Sequence, residues 1–362
     1  MPPDLDRRYS LRALASAASL ARLAVIGAIL VLIAAVFVWA GWFFFPRHLD
    51  QGRIVHALEE ANGRHSGFRR AHGKGVCLSG WFEGNGAGVP LSHAGLFKPG
   101  RVPVFGRFSL AGAMQPDSPK GVHALALNFT LANGEVWRTA MVPAPVFVVN
   151  NPKSFYDQLV ASIPDPKTGK PDPSKMKAFL AAHPETVRAL GLINAHVSAS
   201  GFANETYNAL HAFRFVNAQG VSTPVRWSMV AVDAFEPAPA TAPSANANYL
   251  FDALAARVAH GPVQWHLVVT VGRPGDPTND ATVPWPADRT RVDLGTLTVT
   301  GLQTEAPGNC RNVNFDPMVL PSGIAPSDDP LLSARSAVYS ADFTKRMSEP
   351  KAPSPVQLGR GH

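Results

Sequence analysis

The sequence predicts an α+β fold that combines an antiparallel β-barrel with several helices, and one transmembrane helix precedes the barrel. Three observations lead to this prediction: apolar residues alternate with polar or small ones in several segments, other segments have helical periodicity, and one long apolar stretch lies near the N-terminus. Six or more sizeable strands joined by turns are typical of an antiparallel barrel. We therefore divide the chain into a cytoplasmic tail (1–22), a membrane anchor (23–45), the body (46–348) and a flexible C-terminal tail (349–362).

The apolar stretch at residues 23–45 is uncharged throughout. As a helix it would measure about 34 Å, which exceeds the ~30 Å hydrocarbon core of a bilayer. Trp39, Trp42 and the phenylalanines at 43–45 are suited to a membrane interface. Four arginines and two aspartates come before it: Arg7, Arg8, Arg12, Arg22, Asp4 and Asp6.

The positive charge before the stretch predicts a single-pass protein of the inner (cytoplasmic) membrane. Its N-terminus would lie in the cytoplasm and its body in the periplasm or another extracytoplasmic space. A cleaved signal peptide is the alternative interpretation. Signal peptides have a shorter apolar region that is followed by small residues at the cleavage site. This stretch is longer and ends in bulky aromatic residues.

Strands are predicted where apolar residues alternate with small or polar ones. Residues 125–131 alternate in this way, and the turn at 132–134 leads to a return strand that begins at Val136. The other predicted strands are 211–216, 224–232, 263–271 and 292–300.

Helical periodicity marks five further segments: 52–63, 154–162, 174–190, 249–260 and 331–347. Residues 237–246 are rich in Pro, Ala and Ser and predict a loop. Residues from Glu349 onward contain Pro and Gly, so we expect them to fray.

Composition excludes some classes of function. The net charge of +7 falls to +5 without the charged residues before the anchor, so we expect no nucleic-acid partner. The two cysteines, Cys77 and Cys310, could form one disulfide in an oxidising compartment or remain two buried thiols. They are too far apart in sequence for a Cys-x-x-Cys redox motif.

Arg335 and Tyr339 lie four residues apart in the last predicted helix, and this spacing places both side chains on one face. A neighbouring cation favours the phenolate form of tyrosine, which is a hard anionic ligand suited to ferric iron. The pair therefore suggests an iron-binding tyrosine.

Three more motifs precede this pair along the chain: residues 67–75 with Arg69 and His72, residues 103–109 with Arg107 and Ser109, and residues 144–155 with Phe155. Residues 315–324 then lead into Arg335 and Tyr339. In this order the motifs resemble the catalase superfamily, and in particular the small membrane-anchored catalase-related haem peroxidases. The resemblance implies the catalase type of β-barrel with surrounding helices.

The resemblance also implies a haem b cofactor whose iron is bound by Tyr339, with Arg335 as the charge partner of the phenolate. His72 would be the base that moves a proton between the peroxide oxygens. Ser109 would hold the second ring nitrogen of His72 and so fix its orientation.

Three arginines match the positions that bind haem propionates in catalases: Arg69, Arg107 and Arg346. A guanidinium donates two parallel hydrogen bonds to a carboxylate, which suits this role. Phe155 matches the phenylalanine that stacks on the haem.

The sequence departs from catalases just before Pro145, where catalases have an asparagine and this chain has Met141, Val142, Pro143 and Ala144. That asparagine helps to place the second peroxide, which catalase oxidises to oxygen. We therefore expect a peroxidase that reduces H2O2 or organic hydroperoxides with a small electron donor in oxidative-stress defence. Catalase activity should be weak or absent.

Two alternatives stay open. A catalase-fold enzyme that rearranges fatty-acid hydroperoxides would suit a membrane anchor and an apolar distal wall. A non-catalytic haem-binding protein would not need His72. The sequence has only a short segment after Tyr339, whereas large catalases continue into a helical region, so we expect a monomer or a small oligomer.

Overall fold

An antiparallel β-sheet of ten strands organises the body of the protein. The computed structural model describes residues 17–44, 49–306 and 310–358, and the chain divides into two units, residues 1–50 and 51–362. The strands are β1 (Gly75–Gly84), β2 (Gly100–Leu110), β3 (His123–Thr130), β4 (Val136–Met141), β5 (Tyr207–Asn208), β6 (Phe213–Val216), β7 (Ser222–Ala231), β8 (Val263–Val271), β9 (Arg291–Thr304) and β10 (Ile324–Pro326).

The sheet curls so that its last strand, β4, meets β5, which is itself paired with β7. The strand order is β10-β6-β7-β8-β9-β1-β2-β3-β4, and β5 pairs with β7. Val142, directly after β4, forms a two-way backbone bridge with Asn208 of β5, with N–H···O distances of 3.2 and 2.7 Å. This closure confirms the predicted antiparallel barrel.

The interior of the barrel is filled by aromatic side chains. Trp137, Trp227 and Trp265 are fully buried, and the rings of Phe129 and Trp137 stack with their centroids 4.8 Å apart. The interior is therefore a packed core and not a pore. Alternate residues of a strand point to opposite faces, so Ala124 and other small residues of β3 lie on the outer face of the sheet.

The helices are α1 (Ala17–Phe44), α2 (Gln51–Asn62), α3 (Pro152–Ser162), α4 (Pro173–Ala182), α5 (Pro184–Ala195), α6 (Tyr249–Ala259) and α7 (Pro330–Ser348). The single helix predicted over residues 174–190 is wrong, because Pro184 divides it into α4 and α5. Proline lacks an N–H donor and disfavours helical geometry in the residue before it. That residue, His183, accordingly lies outside the helical region of backbone conformation.

The sequence did not predict β1, although this strand lies between β2 and β9. Three of its ten residues are glycines, which weaken the alternation on which the strand prediction depends. At Gly80 an added Cβ would lie 1.9 Å from the carbonyl oxygen of Thr298, so only glycine allows the two strands to approach here. The close approach of the two backbones therefore requires glycine, and glycine interrupts the alternation by which a strand is predicted.

The first unit contains α1, whose residues Ala18–Trp39 have a mean hydropathy of 2.7 and are not buried. By length and composition this is one helix that could cross a membrane, and a signal sequence passes the same test. The helix starts earlier than the predicted residue 23. Residues 1–16, Phe45 and the side chains of residues 42–44 lie outside the described residues, so the aromatic interface there stays a prediction.

Residues 349–358 pack against the body, so the predicted flexible tail is wrong for this segment. Glu349 forms an ion pair with the buried Arg70 and accepts a hydrogen bond from the backbone N–H of Gly67 at 2.8 Å. Val356 is fully buried in the main core. An ion pair and an apolar contact therefore hold the segment, and residues 359–362 lie outside the described residues.

Cys77 of β1 and Cys310 form a disulfide, and both residues are buried. The bond joins positions 233 residues apart in sequence. Of the two alternatives left open by the sequence, the disulfide is therefore the one the structure contains.

We predict that truncation of the full-length chain after Ser348 lowers the melting temperature by about 4 °C or more. Loss of Val356 removes roughly 2 kcal/mol of apolar burial, and Arg70 loses a charged partner. Differential scanning calorimetry tests this, with truncation after Leu358 as the control. Equal melting temperatures for the two truncated chains would contradict a stabilising role for residues 349–358.

Candidate active site

A cavity of about 390 Å³ lies between the outer face of the sheet and helices α2, α3 and α7. All eight site residues predicted from the sequence line this cavity: Arg69, His72, Arg107, Ser109, Phe155, Arg335, Tyr339 and Arg346. They come from four separate segments of the chain. The fold therefore brings the predicted residues together in one place.

Helix α7 supplies one wall through a single face. Leu331, Arg335, Val338, Asp342 and Arg346 line the cavity at spacings of three or four residues. This spacing is that of one helical face. The helix begins at Pro330, and the side chain of Asp329 caps it by accepting a hydrogen bond from the backbone N–H of Leu331 at 2.9 Å.

The predicted pairing of Arg335 with Tyr339 is present. Nη2 of Arg335 donates to the phenolic oxygen at 3.4 Å, and its Cζ lies 5.7 Å from the centre of the tyrosine ring. The bond is long, so most of the interaction is electrostatic. A cation beside this oxygen stabilises negative charge on it.

Sequence reasoning missed the buried pair His211–Asp329. Nδ1 of His211 lies 2.7 Å from Oδ2 of Asp329, and both side chains are 1% exposed. Burial lowers the pKa of His211 to about 4, and the Arg335 cation also lowers it, against the hydrogen bond to Asp329. A neutral imidazole therefore supports the capping residue of the helix that carries Tyr339.

A local signal for Asp329 existed, since Asp-Pro before a helical segment is typical of a helix start. His211 lies 118 residues earlier in the chain and had no such signal. Only the fold shows the pair.

His72 lies in the turn before β1 with φ at 56°, and it is the one non-glycine with positive φ in the part of the chain described here. A side chain in this conformation costs about 1 kcal/mol or more. Arg107 holds the turn, because Nη1 donates to the carbonyl of His72 at 2.6 Å and Nη2 to that of Gly73 at 2.9 Å. Such strain is often found at functional sites.

The imidazole of His72 faces the cavity with its Nδ1 atom buried, and the loss of solvation lowers its pKa to about 4. The cations of Arg107, Arg335 and Arg69 lower the pKa further in the same direction. The ring is therefore neutral at physiological pH and can accept a proton.

The predicted hydrogen bond between Ser109 and His72 is wrong. Nδ1 of His72 is buried and has no hydrogen-bond partner within the described ranges. Ser109 pairs with Gly75 in the β1–β2 register, three residues after His72. The hydroxyl and the ring therefore line the same cavity, and Ser109 donates no hydrogen bond to this nitrogen.

Arg69, Arg107 and Arg346, which we call the arginine cluster, occupy another part of the cavity wall. Oε1 of Glu305 accepts hydrogen bonds from Arg107 at 2.7 Å and from Arg69 at 3.3 Å. Asp342, whose pKa is raised by burial, lies 3.6 Å from Arg346.

Positive charge is crowded in the arginine cluster. Burial lowers the pKa of Arg69 well below its ordinary value, and the cations of Arg107 and Arg346 lower it further. Nε of Arg346 is buried and has no hydrogen-bond partner among the residues described. Cations that repel one another and keep an unpaired N–H donor are stabilised by carboxylate groups, so the arginine cluster favours the binding of carboxylates.

The segment before Pro145 offers no side-chain amide to the cavity. Val142 lines the wall there. The nearby Asn208 directs its Nδ2 to the backbone carbonyls of Pro143 at 3.0 Å and Ala144 at 3.2 Å. Its amide is therefore engaged with the backbone and does not replace the missing asparagine.

Phe155 of α3 and Phe147 complete an apolar wall, with ring centres 6.0 Å apart. Apolar walls, a phenol beside a cation and an arginine cluster match a planar, largely apolar group that carries an iron and two carboxylates. The residues of the cavity therefore fit haem.

Comparison with known proteins identifies the family of the chain. The family model described as catalase matches residues 50–356. The "Catalase-related peroxidase" of Synechococcus elongatus is 38% identical over 81% of this chain and 88% of its own length. The protein of the same name from Mycolicibacterium paratuberculosis is 34% identical over 82% of this chain and 95% of its own length.

The fold is also similar to a solved bacterial catalase structure. The TM-score is 0.69, the identity is 22%, and the match covers 83% of this chain and 62% of that one. The family model spans most of the chain, and the two relatives match over most of their length. The chain therefore belongs to the catalase family.

Proposed function

We propose that this protein is a haem peroxidase that reduces H2O2 or organic hydroperoxides with electrons from a small donor. Weak or no catalase activity and a role in oxidative-stress defence are part of the proposal. The observation that carries it is a cavity lined by a neutral imidazole, an arginine-paired phenol and the arginine cluster. The names of the two relatives described above support the same activity.

Haem b fits the donor set of the cavity. The phenolic oxygen of Tyr339 would bind the iron, the arginine cluster would hold the propionates and Phe155 would pack on the ring. When bound, the haem supplies the two-electron reduction of the peroxide bond.

His72 moves the proton in this mechanism. Its unprotonated ring nitrogen accepts the proton from one peroxide oxygen and returns it to the other as the O–O bond breaks. Two electrons from the donor and two protons then balance the reduction of H2O2 to two waters. Arg107 keeps the ring in place by holding the backbone of the left-handed turn.

Arg335 affects the oxygen that would bind the iron, whereas Val142 affects the orientation of a second peroxide. Arg335 stabilises negative charge on the oxygen of Tyr339. Val142 leaves its part of the wall without a hydrogen-bond donor, so a second peroxide would not be oriented for oxidation to oxygen. Donor oxidation is therefore favoured over oxygen release.

The apolar wall formed by Val142, Phe147 and Phe155 also supports a second candidate, the rearrangement of a fatty-acid hydroperoxide. That reaction consumes no electron donor, so the stoichiometry of donor to peroxide separates the two. The strained backbone of His72, which places its ring at the cavity, argues against a third possibility, a non-catalytic haem-binding protein.

We further propose that α1 anchors the protein in the inner membrane, with the N-terminus in the cytoplasm and the body in the periplasm or another extracytoplasmic space. The apolar, unburied α1 and the arginines before it support this topology. The disulfide of the body is also expected in an oxidising compartment. We expect a monomer or small oligomer without a nucleic-acid partner.

The proposed activity is tested with the full-length protein in detergent, loaded with haem. We expect oxidation of a chromogenic donor to be at least about tenfold faster than oxygen release from H2O2, because the second peroxide is not oriented. Parallel oxygen-electrode and absorbance assays measure the two rates. Val142→Asn should raise oxygen release relative to donor oxidation. Rapid oxygen release by the wild type would contradict the proposal.

Tyr339→Phe should lower haem affinity about 100-fold or more, because it removes the oxygen that binds the iron. Absorbance titration of the haem-free full-length protein measures this affinity. Tyr156→Phe is the matched control, since Tyr156 lies on α3 outside the cavity lining and accepts a hydrogen bond from Arg53. Equal affinities for the two variants would refute the ligand assignment.

The pH dependence of donor oxidation should follow His72. The folded-state pKa is lowered to about 4, so the imidazole stays neutral above that pH and becomes protonated only below it. We expect kcat/KM to be constant from pH 7 to about 5 and to fall with a midpoint near 4. His72→Gln should lose about 100-fold or more in rate, whereas His56→Gln on the exposed face of α2 should not. A midpoint near 6.5 would show that the ring is not desolvated.

A further inference from the structure

We infer that the Cys77–Cys310 disulfide is a positioning element for the arginine cluster. By joining β1 to residues 310–313, which we call the acceptor segment, it holds the guanidiniums at the spacing that the two carboxylates of haem require. The inference rests on the haem binding proposed above.

The acceptor segment supplies backbone oxygens to two of the three arginines. Nη2 of Arg69 donates to the carbonyl of Cys310 at 3.0 Å and to that of Val313 at 2.9 Å. Arg346 donates to the same carbonyl of Val313 at 2.8 Å and to the carbonyl of Arg311. All these acceptors are main-chain atoms, so the place of the guanidiniums depends on where the segment lies.

The other end of the disulfide lies beside the third arginine. Cys77 is directly opposite Arg107 in the β1–β2 register, and opposed residues of antiparallel strands have their side chains on one face, about 5 Å apart. The backbone N–H of Cys310 also lies 3.2 Å from the sulfur of Cys77. One covalent bond therefore connects the acceptor segment to the strand pair that carries Arg107.

The three guanidiniums repel one another, and the disulfide opposes this repulsion by fixing the acceptor segment. Arg107 and Arg346 are buried and Arg69 is partly buried in the same cluster, and Glu305 is the carboxylate that bonds to both Arg69 and Arg107. The lowered pKa of Arg69 reflects burial first and, in addition, repulsion from Arg107 and Arg346. Without a fixed acceptor segment, Arg69 and Arg346 would move apart to relieve this repulsion.

The sheet does not need the disulfide for its pairing. β1 pairs with β9 from Val76↔Thr304 to Gly84↔Gly295 through backbone hydrogen bonds. The acceptor segment follows β9 and lies outside this ladder. Loss of the disulfide should therefore loosen the cluster locally and leave the barrel intact.

The experiment compares haem with its dimethyl ester, in which both carboxylates are blocked. Affinities are measured by absorbance titration of the haem-free full-length protein in detergent. We expect C77A/C310A to lose at least about tenfold in affinity for haem and less than about threefold for the ester. Circular dichroism before each titration establishes that the variant is folded.

Leu254→Ala is the matched control, because Leu254 is buried in α6 and does not line the cavity. It should lower the melting temperature and leave the ratio of the two affinities as in the wild type. Cys77→Val with Cys310→Ala restores part of the lost volume and should behave as C77A/C310A does.

An unchanged ratio in the folded cysteine variants would overturn the inference and leave the disulfide a purely stabilising role. Failure of both variants to fold would also overturn it, because the inference requires a barrel that survives without the bond. A wild type that binds haem and the ester equally would refute the arginine–carboxylate pairing itself. That last result identifies a failure of the proposed haem binding, distinct from a failure of the disulfide's role.

Discussion

The guanidinium of Arg107 connects the parts of the cavity that come from distant segments of the chain. Its three nitrogens donate to the carbonyls of His72 and Gly73 and to the carboxylate of Glu305. These bonds hold the left-handed turn at His72, and the same cation favours a neutral imidazole. An added Cβ on Gly75 would lie 2.6 Å from the guanidinium, so this glycine leaves the space that the side chain occupies.

The division between the two faces of the sheet explains why the cavity exists. Large aromatic side chains fill the barrel interior, and their size leaves no space there for a ligand. The outer face carries small side chains such as Ala124, Ala126 and Ala140, which leave a space that helix α7 covers with one face. The alternation that builds the core of the barrel thus also builds the wall of the site.

Much of the site could be predicted because its geometry is local. Arg335 and Tyr339 meet because helical residues four apart share a face, whatever surrounds the helix. The hairpin between β3 and β4 follows from alternation and from the turn residues between the strands. The resemblance of the ordered motifs to catalases then assigned eight residues to one site, and all eight line the cavity. One prediction from helical periodicity failed for a reason that is itself local in the sequence. Pro184 divides the helix predicted over residues 174–190.

By itself the sequence determined the class of fold and the apolar N-terminal helix, because each depends on periodicity. Its resemblance to the catalase superfamily identified the residues of the site. Tertiary structure alone decided the pairing of His211 with Asp329, the disulfide, the place of Glu305 and the packing of residues 349–358. It also decided that Nδ1 of His72 has no hydrogen bond from Ser109 among the described residues. These features join groups that are far apart in the chain, and their free energies depend on burial and strand register. Local sequence patterns do not determine burial or register at these positions. These contacts can therefore be identified only from the folded structure.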